Sequence, residues 1–297
     1  MGAGPGPSQV SPAHGDGGSA DDGGEDSDAS GGAEPVPDGT RPIEITRSVV
    51  DEPEQPRGLL SGMQYRKDDA HPSHYGIQAL FETTRGQWDG CTQVRSGECW
   101  YYDCPPGSAP YLPSVPLQNA GTLSVTTASD PATTLQVGLL YDFWYEVESA
   151  GELWTGLGKT VTFSALGKTV PPFTLAVQSP PTVALTSLNG ALLPKSIARR
   201  DGASLTWTSS GPGVAYFLLY GSYDQKLAAS CEFDAASGAG QLPAVLLQEL
   251  APGPDYALIF HGISRAHSKV NGWQLDASLL GYGGAISPDD YPTLELR

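Results

Sequence analysis

From about residue 75 onward, apolar and polar positions alternate in short runs bounded by Gly, Pro, Ser and Asp. GIQALFET, GTLSVTT, TTLQVGLLYDFWYEVE, KTVTFSAL, FTLAVQS and TVALTS each alternate or stay apolar over about 5 to 8 residues, the period of β-strands. SLTWT, VAYFLLY, AASCEFD, DYALIFHGI and WQLDASLL continue the pattern. β-Branched and aromatic side chains fit a pleated surface, and the 37 glycines and 26 prolines supply many turns. The expectation is an all-β fold of antiparallel sheets. The runs fall into two groups, which predicts two tandem β-sandwich domains. Pro180 and Pro181 lack backbone donors and favour extended chain, so they mark the crossing between the groups. One helix is expected in the second group, over LPAVLLQEL. There Pro243 suits a first turn, Val245, Leu246, Leu247 and Leu250 form an apolar stripe, and Pro252-Gly253 stops the helix.

The boundaries follow from these runs. The first domain is placed at residues 75–178 and the second at 180–286, with a bridging segment at 58–74 and a C-terminal tail at 287–297. Residues 1–57 contain GDGGSADDGGEDSDASGGAEPVPDG and almost no aliphatic or aromatic side chains. Such a segment buries too little apolar surface to offset its chain entropy, so a disordered acidic, Gly-rich tether is expected. It holds twelve Asp and Glu against three Arg, a net −9 of the chain's −17. DDGGEDSD lacks the twelfth-position ligand and flanking helices of a calcium loop, which leaves the reading of a solvated spacer.

Charge and hydropathy narrow the partners. Nucleic acid and anionic membrane both need clustered Lys and Arg, and Arg66-Lys67 and Arg199-Arg200 are the only adjacent basic pairs. No run of about 18 apolar residues is present, so no transmembrane segment is expected. MGAGPGPS has neither the basic nor the apolar region of a secretory signal, and Gly6 stands where myristoylation wants Ser or Thr. The four cysteines point the other way. Three crowd within CTQVRSGECWYYDC, and an even total favours disulfides formed in an oxidising compartment. A removed leader reconciles the two signals. A flexible acidic tether often follows the lipid-carrying cysteine of bacterial lipoproteins, with Met1 here standing where that cysteine was. The expected location is therefore extracellular or the bacterial outer-membrane surface, with a lipid anchor at the native N-terminus.

The spacing C-x7-C-x4-C lacks the C-x2-C of zinc knuckles and thioredoxin-like sites. Cys91, Cys99, Cys104 and Cys231 are thus disulfide candidates. Arg95-Ser96-Gly97-Glu98 suits a turn, so CTQV and CWYYDC read as a hairpin. A four-residue loop at Ser96 to Cys99 sets Cys91 opposite Cys104 and leaves Cys99 for Cys231. A two-residue Ser96-Gly97 turn offsets Cys91 from Cys104, and then a bulge is needed. All three connectivities stay open on the sequence.

In YDFWYEVE, alternation puts Tyr141, Phe143, Tyr145 and Val147 on a core face and Asp142, Trp144, Glu146 and Glu148 on the other. An indole among carboxylates is the chemistry that holds sugars, because the ring stacks on an apolar sugar face while acids accept hydroxyl hydrogens. Asp142, Trp144 and Glu146 are the glycan-binding candidates, and Trp100, Tyr101, Tyr102 and Trp154 add aromatic weight to the same domain. Glu146 and Glu148 lie about 6.6 Å apart as next-but-one residues of a strand, near the separation of inverting glycosidases. Any strand with alternating acids has this spacing, so no catalytic residue is assigned. His71 and His74 lie near Asp68 and Asp69, yet linker histidines rarely bind metal, and no metal site is assigned. His261 and His267 have the parity to share one strand face. Serine-hydrolase, zinc-hydrolase, P-loop and dinucleotide motifs are missing, and no cofactor is expected.

Two resemblances emerge from longer stretches. Leu250, Pro252, Gly253 and Tyr256 in LAPGPDYALIF resemble the corner before strand F of fibronectin type III and related immunoglobulin-like domains, where a tyrosine hydroxyl bonds back to the backbone upstream. Trp207 sits where those domains bury a tryptophan on an early strand. The helix LPAVLLQEL departs from their seven-strand plan. The ordered set CTQVRSGECWYYDC, NAGTLSV, LGKTVTFSALGKTVPPF and CEFDAASGAGQLPAVLL resembles uncharacterised myxobacterial surface lipoproteins. That resemblance implies a secreted, lipid-anchored, two-domain β protein and no activity. The functional expectation is a non-catalytic binding or adhesion module for a glycan or another surface protein. A polysaccharide-active enzyme and a structural subunit of a surface assembly are the alternatives.

Overall fold

The computed structural model describes residues 45–51, 55–65, 73–84, 90–104, 118–129, 131–140, 144–192, 194–221, 228–283 and 293–297. In chain order the strands are β1 (Ile45–Val49), β2 (Gln55–Tyr65), β3 (His74–Thr84), β4 (Thr92–Ser96), β5 (Cys99–Asp103), β6 (Leu123–Thr126), β7 (Thr134–Leu140) and β8 (Trp144–Ala150). They continue with β9 (Thr160–Ala165), β10 (Phe173–Gln178), β11 (Val183–Leu188), β12 (Ser196–Ile197), β13 (Ala203–Ser209), β14 (Val214–Tyr220) and β15 (Ala228–Asp234). The last are β16 (Ala239–Leu242), β17 (Gly253–Val270), β18 (Trp273–Tyr282) and β19 (Thr293–Leu296), and α1 (Ala244–Glu249) is the one α-helix among the described residues. The fold is all-β.

One path of hydrogen-bonded strands runs β7-β8-β3-β2-β18-β17-β14-β15-β5-β4-β1. The β2–β18 pair is parallel and the other pairs along this path are antiparallel. The long β17–β18 hairpin is the spine, turned by Asn271 and Gly272 at φ 46° and 85°. An Asn-Gly pair suits such a turn because Gly carries no Cβ penalty at positive φ and Asn tolerates it.

Two cores lie along this path. One gathers Phe81, Tyr145, Trp154, Phe163 and Phe173 with Trp273, Leu275 and Leu279 of β18, and β6, β9 and β10 help to close it. The other gathers Trp207, Phe217, Phe233, Leu247, Tyr256 and Phe260 with Val94, Cys99 and Tyr101. Membership therefore does not follow the expected partition at Pro180. The β4–β5 hairpin, assigned by sequence to 75–178, packs in the core of the later strands, and the first half of β18 packs in the core of the earlier ones. Residues Pro42–Arg297 form one compact unit.

The Pro180-Pro181 crossing lies on the spine between the cores. Gly262 and Gly281 are paired neighbours there, and a Cβ on Gly262 would fall 1.7 Å from the Pro181 carbonyl oxygen. Only glycine lets the linker approach so closely.

Three other expectations are corrected. Ile45–Val49 and Gln55–Tyr65 are strands where tether and bridge were expected, and Thr293–Leu296 is a strand where a tail was expected. Residues 1–44 lie outside the described residues. TTLQVGLLYDFWYEVE is two strands, β7 and β8, paired Gly138↔Glu146 to Leu140↔Trp144.

Candidate functional site

β8, β3, β2, β18 and β17 lie side by side, and alternation sends their other residues away from the core. On β8, Tyr145 is buried and Val147 packs against the core, while Trp144 and Glu146 are half-buried on the outer face. Register then fixes what stands beside them. Trp144 is opposite Leu80, Leu80 opposite Leu59, Leu59 opposite Asp276 and Asp276 opposite His267. Two residues along, Glu146, Gln78, Ser61, Ser278 and Arg265 form the next rung. All of these rung residues except Glu146, which borders it, line a shallow, open groove of about 360 Å³.

The first rung is apolar at its centre. Leu59 is 42 % exposed and Leu140, opposite Trp144 on β7, is 40 % exposed, so the stripe meets solvent. The second rung is polar and partly pre-set. Gln78 Nε2 donates to Glu146 Oε1 at 3.0 Å. At the far end His267 Nδ1 lies 2.5 Å from Asp276 Oδ1, and Gln274 Nε2 donates to Asp276 Oδ2 at 3.0 Å. Arg265 pairs with Glu232 and lies over the Tyr216 ring, 5.4 Å from its centroid.

Below the groove the outer face changes to aromatics. Tyr216, His261, Tyr282, Tyr65 and His74 stand in a row on neighbouring strands, with centroid separations of 5.3, 4.9, 4.8 and 4.4 Å. His261 is 3 % exposed, and burial lowers its pKa to about 4, with the Arg265 charge lowering it further and the hydrogen bond to the Gly262 carbonyl raising it. Burial also raises the pKa of the Tyr216 hydroxyl, which bonds to Ser230 at 3.1 Å. On the other side of the groove, burial raises the pKa of Glu82, against the opposing pull of Arg57 across the β2–β3 pair.

The sequence candidates separate accordingly. Trp144 lines the groove, Glu146 borders it through its hydrogen bond with Gln78, and Asp142 lies outside the described residues. Trp154 and Tyr101 are buried in different cores, and Trp100 is on β5 beside Arg95, so none of these joins Trp144. His261 and His267 do share the outer face of β17, but one is stacked among tyrosines and the other is held by Asp276. His74 stacks on Tyr65 at 4.4 Å, whereas His71, Asp68 and Asp69 lie outside the described residues. Glu148 stands opposite Gly76, away from the Gln78 contact.

The cysteines pair Cys91 with Cys104 and Cys99 with Cys231. The hairpin has Arg95 opposite Trp100, the register that sets Cys91 opposite Cys104, and it turns at Gly97-Glu98. Cys99 is directly opposite Cys231 across β5 and β15.

Ser61 and Leu59 escaped the sequence reading because β2 did, and without β2 between them Gln78 and Leu80 of β3 and Ser278 of β18 had no common face. The core-side positions of β2 are Gly58, Leu60, Gly62 and Gln64, which show little apolar alternation. The glycines are there because neighbours fill their space: a Cβ on Gly58 would lie 2.7 Å from Leu275 and Phe81, and one on Gly62 2.8 Å from Leu153 and Leu279. No protein-family model matches this chain, and neither a curated protein nor a solved structure is similar enough to match it.

Proposed function

We propose that this protein is a secreted, lipid-tethered glycan-binding module without catalytic activity, and that its binding face is the groove beneath Trp144. The observation that carries this reading is the pairing of two rungs on an open sheet face, one apolar around Leu59, Leu80 and Trp144, the other polar around Ser61, Gln78 and Glu146. Sugars are amphipathic in the same sense, with C–H faces and hydroxyl edges, and an indole platform beside fixed amide and carboxylate groups suits both. Two disulfides favour an oxidising compartment. The Tyr256 hydroxyl donates to the Ala251 carbonyl at 2.8 Å, five residues upstream, and Trp207 is buried in the same core, both of which support a fibronectin-like second half. Affinity electrophoresis of the full chain through gels holding soluble polysaccharides tests the reading. Retardation by at least one polysaccharide, lost in Trp144→Ala, is expected. Retardation unchanged in that variant removes the groove from the proposal, and turnover of a polysaccharide that disappears in Glu146→Gln replaces a binding module with an enzyme.

A second reading has its own observation. β1 pairs only with β4 among the described residues, and Val49 on it is 73 % exposed. An open strand edge of this kind favours assembly with another surface protein. Association that persists at micromolar concentration and is lost on substituting Pro at Ser48 supports it.

A further inference from the structure

We infer that the groove takes an extended, equatorially linked oligosaccharide laid across the strands, with one sugar ring over each of β8, β3, β2, β18 and β17. The inference rests on the glycan-binding reading and adds the linkage class, the direction and the length of the ligand.

The five strands are hydrogen-bonded neighbours, so each outer-face rung repeats at the strand spacing, and four gaps of ~4.8 Å make a floor about 19 Å long. A ring in an equatorially linked chain advances the polymer by about 5 Å, close to that ~4.8 Å strand spacing. Ring and strand therefore stay in step over the whole floor. Each strand then offers its ring one residue from each rung: Trp144 and Glu146, Leu80 and Gln78, Leu59 and Ser61, Asp276 and Ser278, His267 and Arg265. The rungs are two residues apart along each strand, about 6.8 Å, which matches the width of a ring lying flat with one hydroxyl edge over the polar rung.

The two ends differ in kind. At β8 the ring meets an indole and a carboxylate already oriented by Gln78. At β17 it meets a guanidinium and an imidazole whose other contacts, to Glu232 and Asp276, hold them in place. A chain has direction, and a floor with an aromatic acceptor end and a donor end reads it. An axially linked chain such as amylose curls instead, and it leaves the floor after about two rings because its rings do not repeat along a straight line with the ~4.8 Å rungs.

The test is calorimetric titration of the full chain with cello- and xylo-oligosaccharides of two to six rings, beside malto-oligosaccharides of the same lengths. Affinity for the equatorially linked series is expected to rise with each ring and level off at about five, the number of strands flooring the groove. Ser61→Tyr fills the middle of the floor with a ring and is expected to cut affinity for the five-ring ligand at least tenfold, about 1.4 kcal/mol, while sparing the two-ring ligand. Trp144→Ala is expected to weaken every length. Binding of the malto series as tight or tighter, still dependent on Trp144, keeps the glycan reading and overturns this inference. A plateau at two rings with Ser61→Tyr silent also overturns it. No binding by any saccharide in either series, together with no retardation in the polysaccharide gels, overturns the glycan reading itself.

Discussion

The two cores are made of similar strands and closed by different means. Around Trp207 and Phe217, closure is covalent: Cys99–Cys231 fastens the β4–β5 hairpin to β15, and Cys91–Cys104 fastens the hairpin's own base. All four cysteines are spent on that side. Around Phe81 and Phe163, closure is by buried polar groups. The Tyr145 hydroxyl accepts from the Ala120 N–H at 3.0 Å and donates toward the Gly121 carbonyl at 2.9 Å, and the Gln64 amide bonds the Trp154 backbone at both ends, at 3.0 and 2.8 Å. β5 and β15 are paired although Cys99 and Cys231 are 132 residues apart, and a cross-link gains most where the loop it closes is long. The core without a cross-link is the one whose outer face carries the groove.

The largest expected effect comes from removing that covalent closure. Loop entropy assigns the 132-residue Cys99–Cys231 separation about 5 kcal/mol and the 13-residue Cys91–Cys104 separation about 3 kcal/mol. The double substitution Cys99→Ala with Cys231→Ala should therefore lower the urea midpoint more than Cys91→Ala with Cys104→Ala. Equal losses, or the reverse order, would show that loop length does not set what each cross-link contributes.

His261 ties the halves together on the outer face, and it makes the junction sensitive to acid. Its folded pKa of about 4 lies below the ordinary 6.5. Between those values the unfolded chain binds a proton that the folded chain does not. Stability is thus complete above about pH 6.5 and falls as the pH drops toward 4, by roughly 3 kcal/mol in all. Urea midpoints measured across that window in the parent and in His261→Phe check this. The variant keeps a ring in the row between Tyr216 and Tyr282 and should lose this part of the slope; an unchanged slope assigns the acid sensitivity elsewhere.

One buried tyrosine from each core gives a smaller and more direct comparison. Tyr256→Phe removes one hydrogen bond to Ala251, worth about 1 kcal/mol. Tyr145→Phe removes the acceptor of a buried Ala120 N–H as well, and an orphaned buried group costs about 1–3 kcal/mol. The core that lacks disulfides should therefore lose more from the same chemical change, as read from thermal unfolding.

How much of this was legible in the sequence depended on whether a residue's own neighbours in the chain carried the signal. α1 was legible because its stripe and its stop are local, and it spans Ala244–Glu249 within the expected LPAVLLQEL. So was the face on which Trp144 stands, since strand parity alone decides it. The Cys pairing was half legible: the hairpin register was one of two that the turn permitted. β2 was not legible, because Gly58 and Gly62 answer to Phe81, Leu153, Leu275 and Leu279, which arrive from other strands. With β2 hidden, Ser61 and Leu59 had no strand to stand on, and the groove reduced to one tryptophan among acids. The division at Pro180 misled for a related reason. The prolines do mark a crossing, but the hairpin of β17 and β18 runs on beneath it.

The comparison can be tested at its finest grain with two tryptophans. Trp144 and Trp100 are both half-buried on strands whose neighbouring residues face a core, one beside the groove and the other over the cross-linked half, where Arg95 lies 5.5 Å from its ring centroid. Either substitution to Ala should cost little stability, within about 1 kcal/mol, because neither side chain is enclosed. Their effects on saccharide binding should part completely. Trp100 has a cation for its ring face and no polar rung of the groove beside it, so Trp100→Ala should bind cello-oligosaccharides as the parent does. Trp144 has Leu80 and Leu140 on either side and Glu146 two residues along, so Trp144→Ala should lose the ligand. Equal effects of the two substitutions would mean that any exposed indole on this protein holds sugar, and that the two rungs contribute nothing to selecting the site.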